Sequence, residues 1–181
     1  MSGAIKKMAP ATAILALLYY SDEIIFGLPI VATTAIIGAL PAFIIFSVLY
    51  FLFDYWLGMV MLKIVRGDLV IKNIKNPVLR KITSWIKSWF DSIEQSGLVA
   101  KLKNKLSTKK GNHVRYSGFI LVSYFGSAFI TIPVMYVLGQ RKHLRLLTAI
   151  SASIYALTFV AKWALGTFIF LELIKFIINL F

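Results

Sequence analysis

Of the seven carboxylates in this 181-residue chain, three stand where a charge is costly. Asp22 and Glu23, in SDEIIFGLPI (residues 21–30), run straight into an apolar stretch that Gly27 and Pro29 interrupt within a turn. Asp54 lies deep in a run of apolar residues, and Lys162 is its basic counterpart late in the chain. Charges in such surroundings must be paired or hydrated, which makes them default candidates for an ion, proton or substrate pathway. Gly27, Pro29 and Pro133 join Asp22, Glu23, Asp54 and Lys162 as candidates, because a break in a helix frees backbone polar groups for a ligand. Glu172 and Lys175 lie three apart in FLELIKFIINLF and can neutralise each other on one helix face.

The usual constellations of catalysis are missing from the sequence. There is no cysteine, so neither thiolate chemistry nor sulfur-ligated metal arises. His113 and His143 sit in basic segments away from carboxylates, no phosphate-binding loop or dinucleotide fingerprint occurs, and no serine stands in a nucleophile arrangement. The expectation is a protein without enzymatic activity, metal or cofactor.

The elements that hold these charges follow from composition. The chain is 59% hydrophobic and 15% charged, with a mean hydropathy of +0.82, against about 25% charged for a soluble domain. Residues 24–53 and 117–140 carry no formal charge, and each run exceeds the ~20 residues a spanning helix needs. Strand-like alternation is absent, so helices must satisfy the backbone in lipid. The expected fold is an all-α polytopic membrane bundle. The lengths do not suit simple spans, however. Residues 8–20 are short for one span, and residues 24–65 are too long for one and interrupted by Asp54 and Lys63. Broken or re-entrant helices fit better, with breaks at Gly27, Pro29, Gly38 and Pro41.

Net charge is +13, and residues 66–115 hold 12 of the 20 basic residues. The positive-inside rule places that block and the N-terminus in the cytoplasm, consistent with the plasma membrane of a prokaryote. Nucleic-acid binding is the other use of such a block, but no corresponding fold signature accompanies it. Within the block, residues 77–96 repeat apolar residues at i, i+3, i+4 and i+7, with Asn76 as N-cap and Gly97 as a stop. Arg80, Lys81 and Lys87 lie beside Trp85 and Trp89, a combination suited to anionic lipid headgroups. The alternative is that the apolar face packs on the protein's own bundle or on a partner. The expected division is a first membrane half over 1–65, a basic cytoplasmic segment over 66–115 and a second membrane half over 116–181.

An ordered match between the two membrane halves reads as an internal repeat; the alternative is chance likeness between two apolar stretches. Tyr20, Leu28, Pro29 and Ile30 align 104 residues later with Tyr124, Ile132, Pro133 and Val134; Phe51, Asp54, Tyr55, Leu57 and Gly58 align 108 residues later with Phe159, Lys162, Trp163, Leu165 and Gly166. Opposite charges thereby fall at matching positions, and an Asp54–Lys162 ion pair is one expectation; the other is that Lys162 reaches the interface along its own stem. In the second half, Arg115 and the Arg141–Lys142–His143–Arg145 cluster would both prefer the cytoplasm. A re-entrant hairpin turning near Gly126 and Ser127 satisfies both, and a conventional span violates the bias once.

Glu23, Gly27, Leu28, Pro29 and Ile30 form E-x-x-x-G-[IL]-P-[LIV], which resembles the first-half motif of the small multi-drug export family of membrane proteins. GFILVSYFGSAFITIPVMYVLG and the later LLTAISASIYALTFVAKWALG are similar to that family's second copy, and more broadly to re-entrant-helix transporters of the DedA/VTT type. The family's basic residue soon after the acid is replaced here by Ile24, Ile25 and Phe26. The resemblance covers residues 11–65 and 116–170. It implies a small transporter and points to Glu23, Gly27, Pro29 and Pro133. The expected function is therefore a secondary transporter or permease, alone or as a homo-oligomer; the alternative is an accessory subunit of a larger membrane complex.

Overall fold

The computed structural model describes residues 23–67, 74–95, 97, 101, 104 and 109–178. Asp22 and the apolar stretch at 8–20 lie outside them. Six α-helices and no strand occur among the described residues: α1 (Leu28–Ile37), α2 (Ala39–Arg66), α3 (Pro77–Glu94), α4 (Lys109–Phe125), α5 (Ala128–Val137) and α6 (Leu144–Ile178). A π turn, Glu23–Gly27, leads into α1.

Helices α2 and α6 are long and apolar enough to cross a membrane. Their most apolar windows are only 17% and 28% buried inside the protein, where the core helix of a soluble domain would be mostly covered. By contrast α1 and α5 have 10 residues each, about 15 Å at 1.5 Å per residue and half of a ~30 Å hydrocarbon core. Of the four breaks expected in the first run only Gly38 interrupts a helix: Gly27 and Pro29 lie within the continuous helical stretch Glu23–Ile37, and Pro41 falls in the first turn of α2. Gly38, at φ 91° and ψ 165°, separates α1 from α2 in a conformation that only glycine adopts without strain. Gly126 and Ser127 separate α4 from α5, which pack on each other. Pro29 falls in the first turn of α1, where no intrahelical N–H is needed.

The chain divides into two compact units, Met1–Phe53 with Ala156–Phe181, and Asp54–Tyr155. The division cuts α2 and α6 part-way, because each long helix supplies residues to both units. In the first unit, Tyr50 is fully buried, stacked on Phe159 at 4.6 Å and meeting the edge of Phe26 at 4.7 Å. In the second, Gly58 of α2 brings three helices together: a Cβ there would lie 2.8 Å from both the Ala128 Cβ of α5 and the Thr148 Cγ2 of α6. Small residues allowing such close approach are how apolar helices gain packing where lipid offers no hydrophobic drive.

Helix α3 forms where its pattern predicts, ending at Glu94 rather than 96. Asn76 caps it as expected, its Oδ1 accepting from the N–H groups of Val78 (2.9 Å) and Leu79 (3.2 Å). It packs against α5, and Arg141 just beyond α5 pairs with Glu94 at 3.4 Å.

Candidate functional site

Two polar contacts hold the beginnings of the two short apolar helices, one in each unit. In the second unit, α5 starts at Ala128 because Ser127 is extended and its hydroxyl accepts from the Phe129 N–H at 3.1 Å. The Ser127 carbonyl accepts from the N–H groups of Ile130 (3.0 Å) and Thr131 (3.1 Å). One donor of the first turn, the Ala128 N–H, remains beyond the reach of these local caps. Asp54, on α2, meets it: Oδ2 accepts from the Ala128 N–H at 2.9 Å. Its residue is only 1% exposed. A carboxylate at a helix N-terminus is favoured by both the hydrogen bond and the aligned peptide dipoles.

Further along α5, Pro133 is fully buried in the helix interior. Having no N–H, it leaves the carbonyl one turn earlier without its usual intrahelical donor. The hydroxyl of Thr131 turns back to the carbonyls of Gly126 (3.3 Å) and Ser127 (3.1 Å). The start of α5 is therefore dense in polar backbone, with a buried carboxylate against it.

In the first unit, Glu23 opens the π turn before α1. Its Oε1 accepts from Lys162 Nζ at 2.7 Å and its Oε2 from the Trp163 indole N–H at 2.7 Å. The indole lies against Gly27, where an added Cβ would come within 2.7 Å of Trp163 Cε2. Glu23's side chain is 18% exposed and that of Lys162 59%. The ion pair is thus reached from outside on its lysine side.

No family model, curated protein or solved structure matches this chain.

Of the expected pathway residues, Glu23, Gly27 and Lys162 come together in one unit, and Asp54 meets the helix that contains Pro133 in the other. Pro29 is exposed on α1, and Asp22 lies outside the described residues. The expected Asp54–Lys162 pair gives way to a partner for each within its own unit. At an offset of 104, Glu23 and Ile24 correspond to Ser127 and Ala128; at 108, Asp54 corresponds to Lys162. Under the expected repeat the two contacts would correspond to within one residue: in each, a side chain of a long helix meets residues at the start of a short helical stretch. The polarity is reversed: the carboxylate is on the long helix in one contact and on the short-helix side in the other.

Sequence reasoning placed a turn at Ser127 but gave it no capping role, and it did not single out Trp163 as a partner of Glu23. Ser127 had a signal, a serine after glycine at the head of an apolar run, which is N-cap chemistry. Trp163 had a weaker one, an indole donor that needs an acceptor when half-buried. Of the expected lipid-binding residues, Arg80 and Lys81 are exposed and Trp85 and Lys87 half-buried, while the Trp89 side chain lies outside the described ones.

Proposed function

We propose that the chain is a small polytopic integral membrane protein acting as a secondary transporter or permease, as its resemblance to the small multi-drug export family implies. The observation that carries this reading is the buried Asp54 carboxylate on the first N–H of α5. Transporter sites are built where short, interrupted helices present their ends within the membrane. Intramembrane carboxylates with specific partners are the groups that bind or relay a coupling ion. Glu23 at the equivalent place in the first unit supplies a second such group. The N-terminus and residues 66–115 face the cytoplasm in this reading. With no phosphate-binding loop in the sequence, a gradient drives the cycle.

Reconstitution tests it. Proteoliposomes holding a pH-sensitive dye are given a proton gradient and challenged with cationic, anionic and neutral solutes. The expected result is a solute-dependent proton flux that Asp54→Asn abolishes while the variant still reconstitutes. Absence of any such flux in the wild-type protein overturns the reading.

A second reading is an accessory subunit. The observation favouring it is the C-terminal part of α6, where Leu165, Phe168, Ile169, Phe170, Leu173 and Phe176 are exposed around the helix. That surface suits a neighbouring membrane helix as well as lipid. Affinity purification in mild detergent separates the two: a transporter is recovered alone or as a homo-oligomer, a subunit in fixed ratio with larger proteins.

A further inference from the structure

Helix α3 has more apolar surface than its docking uses. At 100° per residue, its buried residues Thr83 and Phe90 lie about 20° apart on one edge. Val78 and Ile82, both exposed, lie on another edge, about 80° or more around the helix from Phe90. Half-buried Trp85 shares the edge of Val78 and Ile82, and exposed Leu79 lies between the two edges. The docked end is the C-terminal one, where Glu94 pairs with Arg141 and Lys87 approaches Gly67. At the N-terminal end Val78, Leu79 and Ile82 stand in the open, next to exposed Lys75, Arg80 and Lys81. Residues 74–90 contain four basic residues and no acid.

We propose that the N-terminal half of α3 is an anionic-lipid contact, with Val78, Leu79 and Ile82 entering the headgroup boundary and Lys75, Arg80 and Lys81 meeting lipid phosphates, while the C-terminal half docks on α5. Charge decides for this occupant. An uninterrupted positive stretch beside bare aliphatic side chains is complementary to an anionic surface with an apolar interior, and a Trp at the same edge suits headgroup depth. A second copy of the same face would bring like charges together. The sequence left lipid contact and self-packing as alternatives for the whole helix. The structure assigns one to each end.

The inference rests on the membrane placement proposed above, which resistance of the protein to alkaline carbonate extraction tests separately. Because the chain has no cysteine, single-site labelling of the full protein is clean. Leu79→Cys, Ile82→Cys and, as a control on the opposite face, Ser84→Cys are labelled with an environment-sensitive fluorophore. They are then reconstituted in bilayers of phosphatidylcholine with or without phosphatidylglycerol. Nitroxides on lipid headgroups should quench positions 79 and 82 several-fold more than 84. Quenching should increase with phosphatidylglycerol, and Arg80→Gln with Lys81→Gln should remove that increase. Equal quenching of all three sites by aqueous iodide overturns the proposal. Protection of 79 and 82 from both quenchers does so too, since a protein partner then covers the face.

Discussion

Asp54→Ala removes the acceptor of a backbone donor that the start of α5 cannot satisfy locally. The residue is 1% exposed, so water does not readily replace the carboxylate. A buried N–H left without a partner costs about 1–3 kcal/mol. Loss of a negative charge from the helix N-terminus adds about 0.3–1 kcal/mol. A destabilisation of about 2 kcal/mol, a factor of about 30 in the folded-to-unfolded ratio, is the expected outcome. Asp54→Asn keeps a side-chain oxygen in place and gives up only the charge, so about 1 kcal/mol or less is expected for it. Ser127→Ala removes the neighbouring cap and should cost about 1 kcal/mol. The Asp54→Ala and Ser127→Ala effects should not add, because both act on one helix turn. Reversible unfolding of the purified protein in mixed micelles, followed by tryptophan fluorescence, gives the order directly. If Asp54→Ala is as stable as the wild type, or no less stable than Asp54→Asn, the capping argument is wrong.

Gly58→Leu should reduce the folded yield sharply, because its side chain has to displace Ala128 and Thr148, which already lie within 2.8 Å of the Cβ position. Gly58→Ser should be milder, and detergent size-exclusion profiles of the two variants check the ranking. At Glu23, Lys162→Gln takes away the ammonium but leaves the carboxylate its hydrogen bond from the Trp163 indole, so only a small loss of stability is expected. Trp163→Phe, which removes the indole donor as well as changing the contact over Gly27, should cost more than Lys162→Gln. The same unfolding assay in a Glu23→Gln background measures whether the two act through the carboxylate.

Much of this arrangement was legible before any coordinates. Gly38 and the Gly126–Ser127 pair announced the breaks through residue type alone, and Asn76-Pro77 announced the start of α3 through cap chemistry. Asp54, Glu23 and Lys162 stood out because charge in apolar sequence is expensive. What could not be read was who pairs with whom. Period and composition constrain which face of a helix is apolar, but they carry no distance between residues 54 and 128 or between 23 and 162. Opposite charges at matching repeat positions invited an Asp54–Lys162 pair, yet a matching position implies an equivalent environment rather than a mutual contact. The bounds of the compact units were hidden for a related reason. A linear reading divides a chain at its charged linker, whereas α2 and α6 each contribute to both units.

The reversed polarity of the two contacts bears on which carboxylate can couple to a proton. Glu23 neighbours the full ammonium charge of Lys162, so neutralising the carboxylate would leave that cation without its counter-charge. Asp54 meets the partial charges of a helix end in buried surroundings. Protonating it there weakens the hold on the first turn of α5. The proposed transport cycle would use a group whose protonation changes both the local charge and a helix end, and by position Asp54 is the candidate for that role. Glu23 satisfies the second more weakly, because its partners sit on side chains of α6 and not on the backbone of the short helix. In the proposed transporter, the functional weight of the two acids should therefore be unequal.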